Sequence, residues 1–334
     1  YHEYTFVTME NVSLAANLSD CFLVQHITGS TPFLLFYLTI IVIAIPSNTF
    51  SLYVSWQHIR QKNELGVFLF NLALCDLTFT LGLTLWVDFL WRGVWIHGSH
   101  LCVICVRFVY TNFYMSEALL CCIAVNRYLA VVHPLKCVKF RKVGTAVAVS
   151  VAIWVLVLCF STATIKWGDS YNEDITFSLC FDVFLPMTES QICGNLTRFF
   201  VGFVAPVAVV LFTTWGTCVA VNTNQATKEQ ERKRISKLLA LVLFSLVLCF
   251  GPLHVLMLVR TFLSDCSSFQ WLLHPYRISI AMSSLNCLAD PLLYCFVTRT
   301  GQANVSQHYT WKNERVSLYH DQTSSGRCTC IFWG

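Results

Sequence analysis

Seven stretches of this chain are apolar for long enough to cross a lipid bilayer as helices. They run over residues 33–57, 65–90, 101–132, 143–165, 193–222, 235–262 and 271–298. A spanning helix needs about 20 predominantly apolar residues. The fold class expected from this pattern is an all-α membrane protein, a seven-transmembrane helix bundle. Composition agrees: 56% of the 334 residues are hydrophobic and 12% are charged, with a mean hydropathy of +0.60. A soluble domain would carry about 25% charged residues. No internal repeat and no paired broken helices suggest an inverted-repeat transporter. The first 30 residues are polar and lack a basic-then-apolar leader, so the first span is expected to act as an uncleaved signal-anchor.

Loop charges orient the bundle, because cytosolic loops collect Lys and Arg. The loop after the first span carries Arg60 and Lys62 against Glu64. The loop after the third carries Lys136, Lys139, Arg141 and Lys142 with no acid. The loop after the fifth carries Lys228, Arg232, Lys233, Arg234 and Lys237 against Glu229 and Glu231. The loop after the fourth has the opposite balance: Asp169, Glu173, Asp174, Asp182 and Glu189 against Lys166 and Arg198. The N-terminus is therefore expected outside. Sequons at Asn11, Asn17 and Asn195 fall outside and are candidate glycosylation sites, while the one at Asn304 falls inside.

Most of the seventeen Cys, such as Cys75, Cys121, Cys122, Cys159, Cys249, Cys287 and Cys295, sit in apolar runs, where they read as small buried hydrophobes. Cys102 and Cys180 are placed outside, where thiols oxidise. A bridge between them would pin the acidic loop over the mouth of the bundle. Cys21 and Cys266 are a second candidate pair, tying the N-terminus to the last outer loop. Cys328 and Cys330 are either palmitoylated or free cytosolic thiols.

Charged groups inside the spans are the informative ones. Asp76, Asp88, Glu117, Arg127 and Asp290 all lie within apolar runs, and each costs at least a few kcal/mol at mid-membrane unless partnered or watered. Cys102 and Arg127 are 25 residues apart, roughly 37 Å along a helix. That places Arg127 at the cytosolic end, where it can snorkel towards water. Asn112, Ser116 and Glu117 lie near the middle of the same helix. With Asn48 and Asn286, Asp76 and Asp290 can form one polar core, of the kind that holds a cation such as sodium or shares protons. Asn112 and Ser116 are further candidates for that core. Prolines at 46, 206, 252 and 291 are expected to bend four helices.

The chain resembles a class A (rhodopsin-like) G protein-coupled receptor from about residue 33 to 300. The resemblance rests on Asn48, on "LALCD" with Asp76, and on Trp95 before Cys102. It continues through "NRY" at 126–128, Trp154, Pro206, "CFGP" at 249–252 and "DPLLY" at 290–294. More narrowly, "ELGVFLFNLALCDL", "LWVDF", "WIHG", "CIAVNRYLAVVHPLK", "CFGPLHVLML" and "YRISIAMSSLNCLADPLLYCFV" are similar to the proton-sensing receptor family. The last stretch looks most like its T-cell death-associated (psychosine) receptor branch.

The resemblance implies a plasma-membrane, multi-pass receptor activated by extracellular protons. It would signal through a heterotrimeric G protein, most often by way of cAMP. The implied organisation is an extracellular segment over 1–32, a receptor domain over 33–298 and a cytoplasmic tail over 299–334. Coupling falls to Asn126, Arg127, Tyr128 and Tyr294. The resemblance implies neither enzymatic activity nor a cofactor, and no nucleic-acid partner is expected. The chain departs from the family at four places. Val157 stands where a Glu is common in the fourth helix. Glu117 is an extra acid in the third and is expected to stand in for that Glu. Asn126 replaces the usual Asp, and Thr214 replaces a Tyr that steadies the active state.

Chemistry supports a pH role independently of the resemblance. The ordinary titration of His falls near pH 6.5, and six of the ten His, at 2, 26, 97, 100, 254 and 274, are expected outside or in the outer half. Sensor candidates are His97, His254, His26, His100 and His274, together with the acids Asp76, Glu117 and Asp290. Protonated His can repel one another or pair with Asp88, Asp174 or Asp182. A lysolipid or peptide agonist held by Asp88, His254 and Arg277 is the competing reading. An opsin would need a Lys in the seventh span, and 271–298 has none. A proton-coupled transporter would use the same acids but lacks the repeats. No "HExxH" or nucleophile–base pair signals a hydrolase, and no tight spacing of outer His argues for a metal.

Overall fold

The computed structural model describes residues 30–134, 137, 141–168, 180, 187–223, 229–263 and 266–294; side chains of 30, 165–168 and 266–270 lie outside that description. Among the described residues the regular structure is entirely helical. Helix α1 spans Ser30–Arg60, α2 Leu65–Arg92, α3 Gly98–Val132 and α4 Val143–Gly168. Helix α5 spans Glu189–Thr223 and α6 Glu229–Arg260. Helix α7 runs Cys266–Ser284, and after a turn at Leu285 a final helix α8 covers 286–294. Each of α1 to α6 is long and apolar enough to cross a membrane. The helices overrun the apolar stretches at most ends. The largest overrun is at α6, whose polar first turns, with Glu229 and Lys233 paired at 2.6 Å, continue a helix expected to begin at 235.

The bundle is apolar on both sides. Leu69, Leu72, Leu119, Leu120, Ile123, Leu238, Leu239 and Phe250 fill its centre. Val42, Phe50, Val155, Leu156, Phe212 and Trp215 face outward, as they can only where the surrounding solvent is lipid. Because lipid is as apolar as Leu, packing and interhelical hydrogen bonds hold such helices together. Trp154 Nε1 of α4 donates to Asn71 Oδ1 of α2 at 2.8 Å. Asn48 Nδ2 of α1 donates to the Cys287 carbonyl of α8 at 2.9 Å. Tyr294 hydroxyl of α8 donates to the Leu69 carbonyl of α2. At the start of α2 the backbones nearly touch. A Cβ at Gly66 would lie 2.8 Å from His58 Cβ and 3.0 Å from the Ser55 carbonyl oxygen.

Two of the expected bends take a specific form. Before Pro206, α5 widens into a π-helical segment, Arg198–Val204, and before Pro252, α6 does the same over Ser245–Phe250. Proline supplies no N–H, and single π turns in helices often mark functional sites. Neighbouring helices engage carbonyls here. Cys121 Sγ of α3 donates to the Pro206 carbonyl at 3.5 Å, and Ser283 Oγ of α7 donates to that of Cys249 at 3.0 Å. Between α2 and α3 the chain turns through Gly93 and Gly98, both at positive φ. There Cys102 and Cys180 form a disulfide packed with Phe89, Trp95 and Cys105.

Candidate functional site

Among the described residues, four polar groups bear on function. The deepest is built by α2, α3 and α8. Asp76 Oδ1 accepts from Asn112 Nδ2 at 3.0 Å and from Cys287 Sγ at 3.4 Å. Asn286 Nδ2 donates to Asp290 Oδ2 at 2.7 Å. The Asp76 and Asp290 carboxyl groups are neighbours, and both residues are fully buried. Asp76 Oδ2 and Asp290 Oδ1 have no hydrogen bond within the described structure. Ser116 is buried one turn below Asn112, its hydroxyl likewise unbonded. This arrangement can hold a proton between two acids or a small cation against them. The thiols of Cys75, which accepts from Asn112 Nδ2 at 3.6 Å, and Cys287 line it as well; the sequence marks them only as small hydrophobes.

A second group sits at the outer end of α2. Asp88 accepts from Arg92 Nε at 2.9 Å through both oxygens, and Asp88 Oδ2 lies 2.9 Å from His97 Nε2. His97 packs edge-on against Trp95, whose Nε1 donates to the Gly98 carbonyl at 2.9 Å. The disulfide knot therefore fixes the floor of this pair. Arg92 is not among the residues singled out from the sequence, although it stands four residues after Asp88, the spacing at which helical side chains meet. His100 and His274 are exposed.

The third group pairs Glu117 of α3 with His254 of α6, both 1% exposed. His254 lies between Pro252 and the outer end of α6 and faces the bundle interior. Its Nδ1 lies 3.0 Å from the Phe250 carbonyl and 3.7 Å from Glu117 Oε1. Glu117 is thus directed at α6. Near this level α3 meets α4 through Tyr114 and Phe160. Of the candidate ligand set, Asp88 contacts Arg92 and His97, His254 lies against the Phe250 carbonyl, and Arg277 is half-buried on α7.

The fourth group lies at the inner mouth. Arg127 Nε and Asn126 Oδ1 are buried and make no hydrogen bond among the described residues. Tyr128 packs on Phe212 of α5, and a Cβ at Gly216 would come within 2.7 Å of its ring. Thr214 Oγ1 is buried and likewise unbonded there. Arg141 Nε reaches Glu64 Oε1 at 3.4 Å, a contact between distant segments that no local spacing could signal.

Asn195 departs from its expected role as a glycosylation site. Its side chain is 3% exposed, donates to the Met257 carbonyl at 3.4 Å and accepts from Arg198, leaving no room for a glycan on the amide nitrogen. His2, Asn11, Asn17, Cys21, His26, Asp174, Asp182, Asn304, Cys328 and Cys330 lie outside the described residues, as does the Cys266 side chain.

Comparison with known proteins bears on this geometry. Residues 47–294 match the model of the 7 transmembrane receptor (rhodopsin family). G-protein coupled receptor 65 of Homo sapiens is 40% identical over 298 residues, covering 85% of this chain and 88% of that protein. G-protein coupled receptor 68 of Mus musculus is 34% identical over 303 residues, covering 90% and 81%. Proteinase-activated receptor 2 of Homo sapiens is 28% identical over 304 residues, covering 87% and 75%.

Proposed function

This chain belongs to the rhodopsin family of seven-transmembrane receptors, and from that premise we propose that it is a plasma-membrane receptor switched on by extracellular protons. It couples to a heterotrimeric G protein and is not an enzyme. The observation that supports the proton reading is the burial of three carboxyl groups, Asp76, Glu117 and Asp290, each at most 1% exposed. Among the described residues none is balanced by a Lys or Arg salt bridge. A buried charge without an ionic partner is costly. Two packings of the bundle that hold these acids in different charge states are therefore populated differently as pH changes. At the outer end, protonation of His97 turns its contact with Asp88 into an ion pair.

The test is cAMP output from surface-expressed receptor between pH 8 and 6. The parent should rise as the medium acidifies. His97→Phe should need more acid, with its half-activation pH lower by at most about 0.7 unit, since a partly exposed ion pair contributes up to about 1 kcal/mol. A flat parent curve rejects proton activation. A response at pH 8 to added lysolipid, without acid, would favour a lipid agonist instead.

The inner mouth bears on basal output. An Asp at position 126 would supply a negative charge beside Arg127, which Asn126 does not. Asn126→Asp should lower basal cAMP at pH 8 about fivefold, corresponding to a pair of about 1 kcal/mol. Equal basal output at matched surface expression would show that the lock does not depend on position 126.

A further inference from the structure

Glu117 and His254 belong neither to the Asp76–Asp290 core nor to the outer His97–Asp88 pair, and their geometry is unfinished. At 3.7 Å the Glu117 Oε1–His254 Nδ1 separation is too long for a hydrogen bond. Both carboxyl oxygens of Glu117 and the Nε2 of His254 are buried and unbonded among the described residues. Nδ1 is held instead by the Phe250 carbonyl at 3.0 Å. That bond closes over the end of the π segment of α6 and the Pro252 that follows it, the place where this helix is least regular. The imidazole is stacked on Phe203 of α5, centroids 4.8 Å apart and planes 12° from parallel, and meets the edge of Tyr114. These two rings confine the imidazole to the plane that holds both the Phe250 carbonyl and Glu117 Oε1 within 3.7 Å of Nδ1.

The charged and titratable groups facing the pair come from two helices. Arg198 is the fixed positive charge on α5, stacked over Tyr110 at 4.5 Å. Tyr114 and Cys121 approach from α3, and Tyr110 of α3 and Tyr276 of α7 lie behind Tyr114. None of them bridges the 3.7 Å gap.

We propose that Glu117 and His254 form a single proton-operated latch between α3 and α6. A proton arriving from solvent closes the gap into a hydrogen bond and draws His254 off the Phe250 carbonyl, loosening the turn at Pro252 in the active state. If the proton rests on the carboxyl, its O–H donates to Nδ1 and the ring proton moves to Nε2. If it rests on the ring, both nitrogens carry hydrogen and Nδ1–H donates to the carboxylate. In either case a pair with one negative charge becomes neutral, and only hydrogen bonds are exchanged. The latch rests on the reading of this chain as a proton-activated receptor.

A double-mutant comparison of cAMP titration curves, from pH 8 to 5.5 at matched surface expression, tests it. Glu117→Gln, His254→Phe and the double variant should all shift the half-activation pH downward by the same amount. That shift is about 0.5–1 unit, the worth of one hydrogen bond spread over one proton. Additive shifts, or no shift in either single variant, overturn the latch while leaving a responsive parent as a proton receptor. A flat parent curve overturns the functional reading itself. The exchanged receptor, Glu117→His with His254→Glu, should recover at least half of the lost shift, which a merely structural role for either residue would not produce. An exchanged receptor at the surface that titrates like the double variant also overturns the latch. Should a single variant not reach the surface, the exchanged receptor decides.

Discussion

Replacing Cys102 or Cys180 with serine is expected to lower the stability of the purified receptor by about 2–4 kcal/mol, the usual worth of a bridge closing a long loop. The two cysteines are 78 residues apart in sequence, with most of α3 and all of α4 between them. Both are fully buried against Phe89, Trp95 and Cys105, so each serine would also leave a hydroxyl in an apolar knot. Trp95 belongs to that knot and carries His97 on its edge. The loss should therefore reach function as well as stability: surface expression should fall, and receptor that does arrive should lose the His97 share of its acid response. Thermal unfolding in detergent measures the first effect and the cAMP titration the second. A reducing agent applied to the parent should reproduce both. An unchanged melting temperature in Cys102→Ser would mean that the outer end is held together by packing alone.

How much of this is legible in the sequence depends on what kind of signal each feature leaves. The seven helices are legible because lipid permits little else for such runs, and their order follows from the chain. The inward faces are not legible from apolar periodicity. Val155 and Leu156 face lipid and Leu119 and Leu120 face the core, yet all are equally apolar. The polar residues give the interior away instead: Asn48, Asp76, Asn112, Asn286 and Asp290 are buried, as the cost of exposing them to hydrocarbon requires. Helix ends escape the apolar count where a polar amphipathic turn, as at Glu229–Lys233, continues a helix beyond the bilayer.

Pairings are harder to read than positions. Arg92 beside Asp88 follows a helical spacing and is readable. His254 beside Glu117 joins helices 137 residues apart in sequence, and no local pattern announces it. The burial of His254 is equally invisible to a local count, since it depends on Phe203 and Tyr114 packing against it from other helices. Asn195 misleads for a related reason. A sequon describes three residues, whereas the glycan needs an open surface, and α5 turns this amide towards Met257.

The largest functional effect is expected from removing both acids of the deep core. The double variant Asp76→Asn, Asp290→Asn should retain its folded structure. An amide oxygen at position 76 can still accept from Asn112 and Cys287, and one at position 290 can still accept from Asn286, so the bonds at 3.0, 3.4 and 2.7 Å survive in kind. What disappears is the ability to change charge. A charge at the centre of a spanning helix costs about 2.5–3.5 kcal/mol, which corresponds to about a hundredfold in the ratio of two conformations. A partly exposed pair such as His97–Asp88 contributes up to about 1 kcal/mol, or about fivefold. The acid-induced rise in cAMP between pH 8 and 6 should therefore fall by more than about tenfold in the double variant, leaving a shallow remainder from the outer pair and from Glu117. Each single variant should lose less, because the remaining acid can still gain or lose a proton beside a neutral amide. Undiminished amplitude in the double variant, with a melting temperature near that of the parent, would place the acid response outside this core. The amide variant also separates two uses of the same oxygens. A core that works by holding a small cation would lose its response to sodium along with its acids, whereas one that works by sharing protons would show its pH dependence lost in sodium-free buffer as well.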